Sequence, residues 1–380
     1  MSGIGEKELE FQAGLYVVEL LRAVLEERKP KEKPDMLSME NIYRMAKKHS
    51  VECMAYDGAV QIAEPGDEAV MQKWKERSRL CGIQGMVQKA ESEKLFKELP
   101  AHGIRILPLK GCIMKKLYPK ESYRQMADLD ILIDEENAGK AREVMEGLGY
   151  EKSRGEETVI PYVKKPWINV ELHHSLLPVW KENHGRYQKI WECADEKNGI
   201  FQMSWDDYYI YMIEHFAKHF YLSGSGIRSV MDIYVFLEKM KGQLHPDYLE
   251  EQFQVRKLEK FRRDMERIAD KWFFKGGVGE VEKAEEIIIF SGVYGTEKGY
   301  YRNIEERIAE KSYSQGLSKI IYVFKRIFPG YAFMCGAYPI LRKCPPLLPV
   351  MWIYRAAVAV CKRPEKLKRE LNFINRKEKE

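Results

Sequence analysis

The sequence predicts an α+β fold, a small mixed β-sheet flanked by helical regions before and after it. Three observations predict it. Apolar residues recur at helical spacing in the first segment, as at Phe11, Leu15, Val18, Leu21 and Leu25. Near residue 103 short β-branched and apolar runs begin to alternate with helical patterns, in the order β-α-β-α-β-β. From about Trp205 the helical spacing returns. The expected segments are 1–96 (helical), 97–200 (sheet) and 201–380 (helical).

Each element has its own signal. "ELEFQAGLYVVELLRAVLEE" is the first helix, stopped by the charged, Pro-interrupted "ERKPKEKPD" of residues 27–35. Ser38 offers an N-cap to "MENIYRMAKKHS", and further helix runs from Asp67 to Leu99 before Pro100. "GIRILPLKG" reads as a strand, "CIMKKLYP" as a short helix and "DLDILID" as a second strand. "EENAGKAREVMEGLGY" is an amphipathic helix closed by Gly149. "VIPYVKKPWINVELHHSLL" supplies extended segments. Ser204 then caps "SWDDYYIYMIEHFAKHFYL". "IRSVMDIYVFLEKMK", "EEIIIFSGVYG" and "SKIIYVFKRIF" continue as helices, and the charged tail "KRPEKLKRELNFINRKEKE" is expected to fray.

Composition excludes several classes. With 45% hydrophobic and 32% charged residues the chain has the material for a folded core and is not a disordered or fibrous sequence. A net charge of +5 from 63 basic and 58 acidic residues is small, and no basic stripe with interleaved aromatics marks a nucleic-acid partner. Seven cysteines without a CxxC pair indicate neither a disulfide framework nor a zinc ribbon, and a reducing, cytoplasmic location follows as the expectation. The most apolar stretch, Leu347 to Cys361, contains Pro349 and Arg355 and falls short of the roughly 20 residues of a membrane span. It reads as a docked helix, while the apolar and basic residues of 338–370 also suit peripheral contact with an anionic membrane.

The chemistry concentrates in "RQMADLDILID", residues 124–134. In a strand Asp128, Asp130 and Leu132 share one face, and Leu129, Ile131 and Ile133 share the other. The two carboxylates then stand roughly 7 Å apart, and a hard divalent cation such as Mg²⁺ resolves their repulsion. Solvated aspartates on an edge strand are the bland alternative. Upstream, Lys110-Gly111-Cys112 links a strand to a helix start, where glycine permits close approach and free N–H groups suit an anion. Downstream, Asn169, Glu171 and His173 share a strand face, and Glu171 can close a three-carboxylate set for two-metal phosphoryl or nucleotidyl transfer. His173 can orient substrate or a metal-bound water, or is a partly buried histidine at a strand end. His215 and His219 have the i, i+4 spacing of a zinc pair, but no HExxH string or further ligand accompanies them.

The order LKG, helix, "YRQMADLDILI", a helix ending "LGY" and a later "VELHH" resembles the DNA polymerase β-like nucleotidyltransferase superfamily. More closely it is similar to a bacterial family of uncharacterised nucleotidyltransferases with an LKG…R…D-[ILV]-D-[IL]-L-[IV] signature. The resemblance covers residues 97–180 and extends less specifically through "HFAKHF" and "GIRSVMDI". Gly111, Arg124, Asp128 and Asp130 match it. It implies a polymerase β-like palm, an NTP substrate (ATP among the candidates), Mg²⁺ or Mn²⁺ held by Asp128, Asp130 and Glu171, and transfer of an NMP to a hydroxyl of a small molecule or protein. Lys110, Gly111, Cys112, Arg124 and Arg228 are then the nucleotide-binding set. The bland alternatives are an ion pair of Arg124 with Glu121 or Asp128, and an intrahelical Arg228–Asp232 pair. Two positions depart from the superfamily pattern. Cys112 stands where Ser or Gly is common, and Glu171 stands where Asp is common. They motivate the alternative of a catalytically degenerate fold that acts by binding a protein partner.

Overall fold

The computed structural model describes residues 5–153, 159–176, 189–274, 282–296, 324, 327–338 and 340–362. The last helical stretch expected before Pro329, most of the charged tail and residues 363–370 of the apolar–basic segment lie outside them. The chain divides into two compact units, Met1–His174 with Lys189–Gly299, and Ser175–Gln188 with Tyr300–Glu380.

In the first unit four helices precede the sheet: α1 (Glu6–Leu25), α2 (Met39–Lys48), α3 (Glu52–Ala59) and α4 (Glu68–Ala101). Ser38 caps α2 as its sequence predicts. Its hydroxyl accepts from the Asn41 N–H at 3.2 Å, and Asn41 Oδ1 accepts from the Ser38 N–H at 3.0 Å. Helix α4 runs on through Pro100 and ends one residue later. The sheet-bearing stretch follows as β1 (Ile106–Pro108), α5 (Gly111–Met114), β2 (Leu129–Ile133), α6 (Ala138–Gly147), β3 (Glu151–Lys152), β4 (Val159–Lys164) and β5 (Ile168–His173). Gly149 closes α6 at φ 81°, and the Tyr150 N–H returns to the Met145 carbonyl at 3.0 Å.

A short helix α7 (Ile190–Cys193) and a hairpin, β6 (Asp195–Lys197) with β7 (Ile200–Gln202), complete the sheet. The hairpin is an addition to the expected strand order. Its Asn198-Gly199 turn is a strong two-residue hairpin signal. The seven strands lie in the order β3-β4-β5-β2-β1-β7-β6, with β2 parallel to β5 and β1 antiparallel to β2. Leu129, Ile131 and Ile133 of β2 join Val170 and Leu172 of β5 in a core closed by Leu95 and Leu99 of α4 and Met145 of α6. Burial of these alternate residues leaves the opposite face of β2 and β5 to the polar positions.

Among the described residues five further helices belong to this unit: α8 (Trp205–Leu222), α9 (Ile227–Lys239), α10 (Pro246–Val255) and α11 (Glu259–Ala269), then after a π-helical turn α12 (Lys283–Ser291). Ser204 caps α8, accepting from the Asp207 N–H at 3.1 Å. His49, fully buried, ties α2 to two of them. Its Nδ1 accepts from the Ile227 N–H at 3.0 Å and its Nε2 lies 3.2 Å from the Ile289 carbonyl. This arrangement specifies the neutral Nε2–H tautomer.

In the second unit, α13 (Tyr331–Ala337), α14 (Ile340–Lys343) and α15 (Leu348–Lys362) pack around Met334, Cys335 and Leu341. Val350, Ile353 and Tyr354 of α15 are exposed. No described helix is long and apolar enough to cross a membrane.

Candidate active site

Strand β5 lies beside β2 in parallel register, with Asp130 opposite Glu171 and Leu132 opposite His173. Side chains alternate along both strands, so with Leu129, Ile131, Val170 and Leu172 in one core, Asp130, Glu171 and His173 come to the other face, which β2 buries as well. His173 Nε2 stands 2.8 Å from Asp130 Oδ1 and 3.5 Å from Glu171 Oε2. Lys110 Nζ donates to the same Asp130 oxygen at 2.9 Å. Burial disfavours the Asp130 carboxylate, but Lys110 and His173 outweigh it and hold the group well below the usual carboxylate range. Burial likewise opposes charge on His173, yet its hydrogen bonds to Asp130 and Glu171 raise its pKa.

Asp128 lies just before β2 and is half-buried. Burial first, then the Asp130 and Glu171 charges, push its carboxyl up to about 6. The site therefore carries more negative charge than Lys110 alone balances. One oxygen each of Asp130 and Glu171 and one His173 nitrogen lie within 4.8 Å of one another. Two carboxylates and an imidazole around an excess of negative charge fit a divalent cation. The three residues that could hold it are the expected Asp130 and Glu171 with His173 beside them, and Asp128 is not one of this group.

The loop before α5 is built tightly. Lys110 adopts φ 41° and ψ −113°, a strained conformation for a residue with a side chain. The Tyr208 hydroxyl of α8 holds its carbonyl at 2.8 Å. A Cβ on Gly111 would stand 2.5 Å from Met126 Sδ, so the space that glycine leaves is filled by Met126. Helix α5 spans four residues and continues as a 3-10 turn over Lys115–Leu117, so the expected short helix over "CIMKKLYP" is formed up to Leu117. Cys112 is buried, and burial followed by the Asp130 charge pushes its thiol up to about 12. Its surroundings favour the neutral thiol.

Arg124 is buried and makes neither of the ion pairs expected for it. Its Nε and Nη2 meet Oδ1 and Oδ2 of Asp232 at 2.8 and 2.9 Å, and Tyr118 donates to Asp232 Oδ1 at 2.7 Å. With Asp232 so engaged, Arg228 donates instead to the Gln125 carbonyl at 3.0 Å. Burial, then repulsion from Arg124, lowers the Arg228 guanidinium to about 10.

Helix α8 contributes a stripe of which the i, i+4 spacing marks only His215 and His219. Tyr208, Tyr211, His215 and His219 recur at helical spacing toward the site. Burial, followed by the Asp130 charge, lifts the Tyr211 phenol well above its ordinary value. His215 and His219 face each other, Nε2 to Nε2, at 2.9 Å, and burial lowers both. Among the described residues they belong to no metal-ligand group.

A family model described as an uncharacterised nucleotidyltransferase matches residues 35–274, which span the whole of this site. No curated protein matches the chain, and no solved structure does.

Proposed function

The chain belongs to the uncharacterised nucleotidyltransferase family, and from that premise we propose that it transfers an NMP unit from an NTP to a hydroxyl of a small molecule or protein side chain, with Mg²⁺ or Mn²⁺. The observation that carries this reading is the pairing of Asp130 with Glu171 across β2 and β5, with His173 within 4.8 Å of both. Asp130, Glu171 and His173, joined by Asp128, would hold the cation. When bound it neutralises the triphosphate and acidifies the attacking hydroxyl. Lys110 and His173 keep Asp130 ionised and fixed in direction. Glu171, more open than Asp130, accepts the proton that the acceptor hydroxyl gives up. Lys110 stands where it can turn from Asp130 to the polyphosphate. Free thiols at Cys53, Cys81 and Cys112 suit a cytoplasmic location.

The test is a screen of the four NTPs with Mg²⁺ or Mn²⁺, reading pyrophosphate release and label transfer. Wild type should release pyrophosphate with at least one NTP, and Asp130→Ala should abolish it while keeping the wild-type circular dichroism spectrum. Undiminished turnover in that variant refutes the assignment. No thermal shift with any NTP favours a fold that acts by binding a partner.

A further inference from the structure

A cavity of about 110 Å³ lies between α4, the run from Glu121 to Ala127, the first turn of α9 and Tyr294. Lys110, Asp128, Asp130, Glu171 and His173 do not line it. Three guanidiniums do, from Arg77, Arg124 and Arg228. Arg77 is paired with Glu52 at 2.9 Å, Arg124 with Asp232 at 2.8 Å, and the lining carboxylate Glu121 with Lys89 at 2.9 Å. Arg228 has no carboxylate partner among the described residues. Its hydrogen bond goes to the Gln125 carbonyl, which Arg124 Nη1 also reaches at 2.7 Å. Two guanidiniums thus converge on one neutral oxygen, with one carboxylate between them.

A second observation comes from a residue that lines the same cavity. Gln125 Nε2 is buried and has no acceptor. A buried donor without an acceptor and a half-buried cation without an anion are both unfavourable. One oxyanion answers both, because planar guanidinium and amide donors suit phosphate or carboxylate oxygens. A single water needs roughly 10–15 Å³ of such space, so the cavity has room for a phosphate group.

We propose that this cavity is an oxyanion subsite for a phosphate or carboxylate carried by the acceptor, an inference that rests on the nucleotidyl-transfer reading. Residues 125–127 form part of its wall and lead directly into Asp128, so the chain segment that would anchor the acceptor adjoins the one that carries the carboxylates. The acceptor is on this reading an anionic molecule.

Inorganic phosphate, titrated into the full chain by calorimetry without and with a saturating non-hydrolysable NTP analogue and Mg²⁺, tests it. Phosphate should bind wild type in both conditions. Arg228→Gln and Gln125→Met should each weaken it by roughly tenfold or more, the worth of one charge-assisted hydrogen bond. Gln125→Met keeps the carbonyl that both arginines need, so it reads the subsite even if Arg228→Gln does not fold. Phosphate binding that the analogue abolishes assigns the cavity to the NTP's own polyphosphate and overturns the acceptor assignment. No phosphate binding to wild type, or equal affinity in the folded variants, overturns the subsite. Asp130→Ala separates the two readings, since it should lose the Mg²⁺-dependent analogue binding and keep the phosphate response.

Discussion

His173 and Asp130 are joined by a 2.8 Å hydrogen bond between neighbouring strands, on an oxygen that Lys110 also holds. The imidazole orients the most buried carboxylate of the group that could hold the cation. His173→Ala should therefore raise the Mg²⁺ or Mn²⁺ concentration for half-maximal NMP transfer by roughly 10–100-fold, the range for lost metal-site support. Metal titrations of transfer rate provide the check, and an unchanged curve removes His173 from the site.

Arg124 and Asp232 form a two-pronged, largely buried pair. Removing one partner leaves the other buried and uncompensated. Asp232→Asn should lower unfolding free energy by about 3–5 kcal/mol, while the apolar pair Arg124→Met with Asp232→Leu should lose much less. Urea denaturation of the three proteins decides this.

Burial holds His49 down to about 3, far below its ordinary 6.5. The folded state thus favours the neutral ring, and the unfolded state takes up its proton first. The His49 contribution is fully present above about pH 6.5 and is lost progressively as pH falls toward 3. At full protonation the loss is on the order of 5 kcal/mol. Unfolding midpoints between pH 7 and pH 4 should fall in wild type and fall less steeply in His49→Gln.

Gly111 touches Met126 with no room for a methyl group. Gly111→Ala should cost about 1–3 kcal/mol in stability through overpacking and reduce transfer more than stability alone explains, because Met126 sits two residues before Asp128. The double variant Gly111→Ala/Met126→Ala should recover part of the stability. Failure of that rescue would place the strain elsewhere, at the positive φ of Lys110.

Much of this protein was determined by local sequence. Ser38, Ser204 and Gly149 set helix ends through bonds spanning three to five residues. Alternation alone put Leu129, Ile131 and Ile133 in the core and Asp130 opposite them. The parallel strand that carries Glu171 was legible for the same reason, since a period of two admits one buried face. The β6–β7 hairpin follows from Asn198-Gly199, a local turn signal of the same kind.

Tertiary structure decided what depends on partners distant in the chain. Asp232 takes Arg124 from 108 positions away rather than Arg228 from four, because buried geometry rewards the bidentate fork over helical proximity. Strand register, not sequence spacing, brought His173 to Asp130 and left Asp128 at the margin. The space at Gly111 went to Met126, and Arg228 was left with a carbonyl in place of an anion. A sequence shows which residues can form such contacts. Packing shows which contacts they form, because each side chain meets only the neighbours that the folded backbone puts within reach.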